Sequence, residues 1–229
     1  MKGIQPSRFN FLVKLSGALV LFLVLIFGLA GRLDYWQAWI FAGVNLLLIL
    51  TIVFIFTDLP GLVQDRMKMG QNTKWWDKIF WMIYGPMNLV IVILACLDAG
   101  RYFWTGSLPV YVYLTGYLIY ISANFIHLWA IRSNPFYSST VRIQEEKGQI
   151  AVQDGPYRFI RHPGYVGVGL MIASLGVVLG SLYVLLPAGF VWILLLIRTY
   201  LEDETLKKEL PGYTDYCGKV HYRLIPGIW

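Results

Sequence analysis

The amino-acid sequence predicts an all-α, multi-pass transmembrane helical bundle of about six spans with a C-terminal helical hairpin. Three observations predict this fold class. The composition is 57% hydrophobic and 14% charged, whereas about a quarter of the residues in a soluble domain are charged. Five long stretches contain no charged residue, and the basic residues fall into clusters between them. A membrane protein is therefore expected.

Four of the uncharged stretches have a length that suits one crossing each. A hydrocarbon core of about 30 Å takes roughly 20 helical residues. The stretches contain 17, 23, 19 and 30 residues and cover 15–31, 35–57, 79–97 and 102–131. Each of them is therefore predicted to form one span.

The fifth uncharged stretch, 162–197, predicts the helical hairpin. Its 36 residues are too many for one crossing and slightly few for two. Gly180 and Ser181 near its centre indicate a tight turn. We expect helices at about 164–180 and 182–201, the second softened by Pro187.

The basic residues predict the topology. Cytoplasmic segments of membrane proteins are enriched in Lys and Arg, and four clusters hold 17 of the 19 basic residues. The clusters before and after 162–197 are equally basic, so they should lie on one face, which requires an even number of crossings. Six spans with both termini in the cytoplasm follow. This asymmetry also accounts for the net charge of +6 without a nucleic-acid partner. The clusters are Lys2, Arg8 and Lys14; Arg66, Lys68, Lys74 and Lys78; Arg132, Arg142, Lys147, Arg158 and Arg161; and Arg198, Lys207, Lys208, Lys219 and Arg223.

Few residues could bind a metal ion. The chain has three histidines and two cysteines, which are scattered along the sequence. Structural and catalytic zinc sites need three or four such ligands at close spacing. No metal site is expected.

The predicted spans contain a few polar residues and a face of small residues, and for each of these two sets the sequence allows two roles. Asn45, Asn88, Asn124 and His127 are either interhelical hydrogen-bonding partners or part of a cavity for a substrate. Gly169, Ala173, Gly176 and Gly180 lie on one face of the fifth helix. That face is either a packing seam with the sixth helix or a slot for an elongated ligand.

Three polar groups of residues meet at the cytoplasmic ends of the last two predicted helices. Basic residues there can bind headgroup phosphates, and a pair at i,i+4 can stabilise a helix. However, the acidic run 202–204 would be repelled by anionic lipids, and Pro163 forces a non-helical entry into the fifth helix. A zwitterionic or cationic ligand would explain both signs of charge. The groups are Tyr157, Arg158, Arg161, His162 and Tyr165; Arg198, Glu202, Asp203 and Glu204; and His221, Tyr222 and Arg223.

Two of these regions carry a resemblance to a known family. Gly155-Pro-Tyr-Arg-Phe-Ile-Arg-His-Pro-Gly-Tyr-Val-Gly167 resembles the G-x-Y-R-x-x-R-H-P-x-Y-x-G signature of the isoprenylcysteine carboxyl methyltransferase family and its phospholipid methyltransferase relatives. The tail, with its acidic helix at 198–206, paired tyrosines at 211–216 and final proline at 223–227, is similar to that family's closing pattern. The segments 59–66 and 74–78 resemble bacterial members. The specific similarity covers about residues 134–229.

The resemblance implies an enzyme with S-adenosyl-L-methionine at the cytoplasmic mouth of the last helices. A lipophilic acceptor, isoprenylcysteine-carboxylate-like or lipid, would reach it from the bilayer. It further implies an N-terminal membrane region, 1–131, a catalytic region, 132–229, and location in a bacterial inner membrane.

The resemblance also implies roles for individual residues. Arg198 and Glu202 correspond to the pair that organises the reacting end, and the run Glu-Asp-Glu leaves Glu204 as the alternative acid. Glu202 is preferred because it shares a helical face with Arg198. For Arg158 and Arg161 the alternative role is to tie the loop to the tail or to headgroups. The implied cofactor contacts are Gln149, Tyr157, Arg161, His162, Tyr165 and Glu204.

Two other functions stay open at this level. Sterol-reductase-like membrane enzymes carry a similar R-H-P-x-Y-x-G element and bind NADPH, although they continue with an acidic residue where this chain has Val168-Gly-Leu-Met. A non-enzymatic membrane factor of the same fold is the second alternative. A carboxylate or thiolate acceptor needs no general base, whereas an amine or phenol would need one, with His127 and His221 as candidates.

Overall fold

The computed structural model describes residues 8–55 and 73–229, and the side chains of 13–52 and 73–229. This part of the chain forms seven α-helices and no strand. The helices are α1 (Arg8–Ala30), α2 (Trp36–Ile55), α3 (Trp75–Ala95), α4 (Val110–Ser133), α5 (Pro163–Leu179), α6 (Leu185–Glu209) and α7 (Tyr213–Lys219). The basic residues Lys2, Arg66 and Lys68 and the segment 59–66 lie outside the described residues.

Six of the helices are apolar. Four are long and apolar enough to cross a membrane: Val13–Ala30, Trp75–Tyr102, Val110–Ser133 and Leu185–Glu209. Two shorter apolar helices cover Trp36–Ile52 and Pro163–Leu179. The second of the long ones is α3 continued by a π-helical segment, Cys96–Tyr102. The prediction of an all-α, multi-pass membrane protein is confirmed.

The predicted hairpin is formed by α5 and α6. Gly180 ends α5 with a φ of +86°, a left-handed conformation that favours glycine after a helix, and Ser181 N donates to Gly176 O at 2.8 Å. Two details differ from the prediction. Pro187 is the third residue of α6, where no intrahelical N–H bond is lost, so it does not soften the helix. The helix also runs to Glu209, so the acidic run is entirely helical.

The small-residue face of α5 packs closely against its neighbours. A Cβ atom on Gly169 would lie 2.5 Å from the indole of Trp192 in α6, and one on Gly176 would lie 2.7 Å from Val184. On the α4 side, a Cβ atom on Gly167 would lie 2.9 Å from the main chain. The interpretation of this face as a packing seam therefore describes the structure.

Of the polar residues in the spans, some form hydrogen bonds to helix residues and one lines a cavity. Tyr120 of α4 donates to the side-chain oxygen of Asn45 in α2 at 2.9 Å, so Asn45 joins two helices. Asn88 and Asn124 each donate to the carbonyl four residues earlier in their own helix. His127 lines a cavity.

The end of the bundle at the α5–α6 turn is held by a buried carboxylate. Asp98, in the π-helical segment, accepts hydrogen bonds from Thr105 N at 2.7 Å and from Ser181 Oγ at 2.6 Å. Tyr35 Oη donates to the carbonyl of Leu179 at 2.5 Å. The turn is thereby attached to α1–α2 and α3.

The opposite end, called here the site end, joins the loop before α5 to the tail after α7. The backbone N–H groups of Arg161 and His162 donate to the carbonyls of Tyr222 and Arg223, both at 2.9 Å. Arg161 and Arg223 also both bind Asp203 of α6, so the three polar groups of the sequence are brought together, as predicted.

Candidate functional site

Two cavities lie side by side at the site end. The first is called here the polar cavity and the second the apolar cavity. The walls share Tyr137, Ser138 and Tyr165. The rest of the apolar cavity is lined by Phe80, Trp81, Tyr84, His127, Ile131, Ser139, Val168, Leu195 and Arg198.

One wall of the polar cavity is the loop between α4 and α5. Asn134 Oδ1 accepts from Phe136 N at 2.8 Å, a local turn that begins the loop. Gln144 Nε2 donates to Phe136 O at 2.6 Å, and Gln149 Oε1 accepts from Gln144 N at 2.7 Å. Gln149 therefore lies in the cavity wall with its amide oxygen used by the loop backbone.

A fully buried carboxylate, Asp203, holds the opposite wall together. Arg161 binds it through two parallel bonds, Nε at 2.7 Å and Nη2 at 3.0 Å. Arg223 Nε binds it at 2.9 Å, and Lys207 Nζ lies 3.1 Å away. Such bidentate arginine–carboxylate pairs fix geometry as well as charge. The loop before α5, the end of α6 and the tail therefore meet at Asp203.

A tyrosine and a histidine complete the surroundings of Asp203. Tyr213 Oη donates to Asp203 at 3.0 Å, and His162 Nε2 lies 3.4 Å from the same carboxylate. Burial, and next the negative charge of Asp203, raise the pKa of Tyr213 well above its usual range. The hydroxyl therefore stays protonated at neutral pH and keeps its role as a donor.

The entry into α5 places two predicted residues in the wall of the polar cavity. Pro163 is the first residue of α5, a position that proline favours, and His162 precedes it. The His162 ring stacks on the Tyr165 ring at 5.8 Å with an interplanar angle of 13°. Tyr165 Oη donates to the carboxylate of Glu202. Tyr165, which lies in the wall that the two cavities share, is thus held by contacts with both His162 and Glu202.

The guanidinium of Arg198 lies in the wall of the apolar cavity. Arg198 Nε donates to Asp77 Oδ1 at 2.8 Å and Nη2 donates to the carbonyl of Ser139 at 2.6 Å. Its central carbon lies 4.4 to 5.3 Å from the ring centres of Phe80, Trp81 and Tyr165, a cation–π arrangement.

Arg198 and Glu202, which share a face of α6, make separate contacts. Arg198 forms its ion pair with Asp77 of α3, whereas Glu202 accepts from Tyr165. The helical spacing does place both residues near Tyr165, but each one faces a different cavity. They are joined through the tyrosine rather than by a salt bridge.

The predicted residues are mostly, although not all, brought to one cavity. Glu204 lies outside both linings, with its carboxylate 2.9 Å from Lys207 Nζ and 3.5 Å from Arg223 Nη2, because two residues of helix turn it by about 200° from Glu202. Of the two candidate acids, only Glu202 therefore lines a cavity. The residues of the prediction that line the polar cavity are Gln149, Tyr157, Arg161, His162, Tyr165 and Glu202.

The two arginines of the signature differ in position. Arg161 is buried, and besides Asp203 its Nη1 donates to the carbonyls of Val220 and His221, both at 2.7 Å. It ties the loop to the tail, one of the two roles considered for it. Arg158 is exposed and pairs with Asp154 at 3.0 Å.

From the sequence, Asp203 was placed in a polar group without a role of its own, and Asp77 was not singled out. For Asp203 a signal exists, because it continues the four-residue spacing of Val191, Leu195 and Thr199, all of them buried. For Asp77 the signal is that it is the only acid in α3, and a charged residue inside an apolar helix is a functional candidate by default.

Unpaired buried polar atoms also point to the two cavities. In the described part of the chain, the buried side-chain atoms without a hydrogen-bond partner are Trp81 Nε1, Tyr117 Oη and Thr140 Oγ1. Trp81 lines the apolar cavity and Thr140 lines the polar one. Because buried polar groups are normally paired, these two atoms fit contacts with bound ligands.

The fold and the site define a multi-pass membrane protein with a polar and an apolar cavity on either side of one tyrosine. Residues 116–208 match the model of the Isoprenylcysteine carboxyl methyltransferase (ICMT) family. Members of this family are methyltransferases that depend on S-adenosyl-L-methionine. The resemblance stated from the sequence is confirmed. No curated protein matches the chain.

We expect Asp203 to stabilise the site end far more than its exposed neighbour does. In Asp203→Asn, Arg161 and Arg223 lose their buried counter-charge, which typically costs about 3–5 kcal/mol. Glu204→Gln, the matched control on the same helix, should cost below about 1 kcal/mol because its pairs are partly exposed. The free energy of unfolding, from denaturant titration in mild detergent, measures both. Equal losses in the two variants would contradict this role of Asp203.

Proposed function

We propose that this chain is an integral membrane methyltransferase that transfers the methyl group of S-adenosyl-L-methionine to a lipophilic acceptor, isoprenylcysteine-carboxylate-like or lipid. The observation that carries the proposal is the shared wall at Tyr165. It separates a cavity whose lining includes charged and polar side chains, such as Arg161, His162 and Glu202, from one lined mainly by aromatic and aliphatic side chains. A polar cofactor and an apolar acceptor fit these two spaces.

The residues of the polar cavity suit the charges of the cofactor. S-adenosyl-L-methionine carries an ammonium and a sulfonium, for which Glu202 and the faces of His162 and Tyr165 are suitable partners. Gln149, Tyr157 and the unpaired hydroxyl of Thr140 can contact its neutral parts. The donors of Arg161 are occupied by Asp203 and by carbonyls of the tail. We therefore assign Arg161 a structural role in the cavity wall rather than a contact with the cofactor.

When bound, the cofactor supplies an electrophilic methyl group on a sulfonium. The protein then has to position the two reactants in line and to exclude water. Tyr165 is held by the His162 stack and the Glu202 hydrogen bond, so the wall next to the reacting atoms is fixed before any ligand binds. Arg198 and Glu202 are the residues that we assign to the reacting end.

The apolar cavity suits a prenyl or acyl chain. Its polar groups include Arg198 and the unpaired Trp81 N–H, which can receive an oxygen of the acceptor. A protic acceptor would need a base, and His127 is then the candidate rather than His221, which is exposed. His127 Nδ1 lies 3.3 Å from the carbonyl of Gly164, an arrangement that favours N–H at Nδ1 and leaves Nε2 to accept a proton.

Ligand titration of the purified protein in detergent tests the proposed function. S-adenosyl-L-methionine and S-adenosylhomocysteine should bind and NADPH should not. NADPH binding without either sulfur compound would replace the proposal with a reductase, and no binding at all would favour a non-enzymatic factor. Transfer of a labelled methyl group into a lipid extract of the source cells, followed by identification of the product, then names the acceptor.

We expect His162→Ala and Glu202→Gln to lose methyl transfer by at least about 10²-fold, the scale seen when one preorganised electrostatic contact is removed. Both residues line the polar cavity. The unfolding midpoint of each variant should show that it remains folded. Arg158→Gln, a change at an exposed residue of the same loop, is the control and should keep its activity. Full activity in both cavity variants would place the site elsewhere.

We also propose six crossings in a bacterial inner membrane, with both termini and the site end in the cytoplasm. The catalytic region would be 132–229, with α3 from 1–131 contributing Phe80 and Trp81 to the apolar cavity. The support is the distribution of basic residues and the six apolar helices.

Labelling of single cysteines tests this topology. In a background of Cys96→Ser and Cys217→Ser, we expect Trp104→Cys, between α3 and α4, to react with a membrane-impermeant maleimide in intact cells. Arg158→Cys, on the exposed face of the loop before α5, should react only after permeabilisation. Labelling of both positions from the same side would exclude this arrangement.

A further inference from the structure

Asp77 connects three parts of the site although it lies outside the matched family domain. It is fully buried in the first turn of α3. One carboxylate oxygen accepts from Arg198 Nε in α6 at 2.8 Å, and the other accepts from the backbone N–H of Val141 in the α4–α5 loop at 2.8 Å. One side chain therefore sets the relative position of a helix, a loop and a guanidinium.

The contacts of Arg198 leave it little freedom of orientation. Asp77 holds Nε and the carbonyl of Ser139 holds Nη2 at 2.6 Å. Aromatic rings lie against the planar group. A guanidinium has five N–H donors in a rigid fork, so fixing two of them fixes the direction of the others. The guanidinium is thus held in one orientation in the wall of the apolar cavity.

The part of the α4–α5 loop that Asp77 binds lines both cavities. Ser138 lines the polar and the apolar cavity, Ser139 lines the apolar one, and Val141 lines the polar one. The backbone N–H of Lys74, at the start of α3, donates to Val141 O at 3.1 Å, so Val141 is bound on both its N–H and its C=O side. The first turn of α3 therefore fixes the loop that lies over the meeting point of the cavities.

We propose that Asp77 is a positioning residue for acceptor turnover, acting through the orientation of Arg198 and the docking of residues 139–141. The proposal rests on the proposed function, in which Arg198 faces the acceptor. Asp77 itself is not expected to touch either ligand. Removal of its charge should misplace Arg198 and slow the reaction, while the walls that bind the cofactor stay in place.

The test compares Asp77→Asn with a matched control, Glu209→Gln. Asparagine keeps an oxygen that can accept from Val141 N–H but loses the charge that holds Arg198. Glu209 joins the same two helices, α3 and α6, through Lys74 at 2.6 Å, but the pair is partly exposed. Because exposed pairs contribute little, Glu209→Gln should behave as the unchanged chain does.

Three measurements are made on each purified full-length variant. The first is kcat for labelled methyl transfer, the second is the affinity for S-adenosylhomocysteine, and the third is the Nε–H resonance of Arg198 in protein labelled with ¹⁵N-arginine. That resonance is assigned by its loss in Arg198→Lys. It reports the orientation and hydrogen bonding of the guanidinium without any turnover.

In Asp77→Asn we expect kcat to fall by about 10²-fold, the size of effect that a misplaced reacting group can have. The Nε–H resonance should shift or broaden, and the affinity for S-adenosylhomocysteine should be unchanged. An unchanged resonance, or a loss of cofactor affinity as large as the loss of kcat, would overturn the proposal. If the unaltered chain transfers no methyl group, the proposed function fails, and the resonance alone then decides whether Asp77 orients Arg198.

Discussion

The buried negative charge of Asp203 is the constraint on which the site end depends. A carboxylate without solvent is strongly unfavourable unless cations and hydrogen-bond donors surround it. The partners of Asp203 come from the loop before α5 and from the tail, with Arg161, Arg223 and Tyr213 as the main contributors. The chain therefore has to fold its tail back against α5. His162 and Glu202 reach one cavity as a result.

A second buried charge pair, Asp77 with Arg198, acts on another face of the same helix. Arg198 and Asp203 are five residues apart, which turns them by about 140° around α6. One face of α6 is thereby attached to the loop and tail, and the other to α3. Glu202 and Arg198 of α6 therefore line different cavities, on either side of Tyr165.

The fold followed from the sequence because hydropathy and charge are local properties. The uncharged run 162–197 predicted the hairpin, and the signature residues predicted most of the polar cavity. The partners of the buried charged side chains were harder to predict. Asp77 and Arg198 are 121 residues apart in the chain, and no local spacing encodes such a contact. The neighbour of Arg198 at i,i+4, Glu202, was the natural local candidate, but Tyr165 binds that carboxylate instead.

The apolar cavity draws on a helix, α3, that does not line the polar cavity. His162, Tyr165 and Glu202 lie within the matched domain, whereas Phe80 and Trp81 of the apolar cavity lie on α3, outside it. A substitution of Phe80 or Trp81 can therefore reshape the apolar cavity without altering the residues that line the polar one. A change in a single helix is thus enough to alter one cavity and to leave the other as it is.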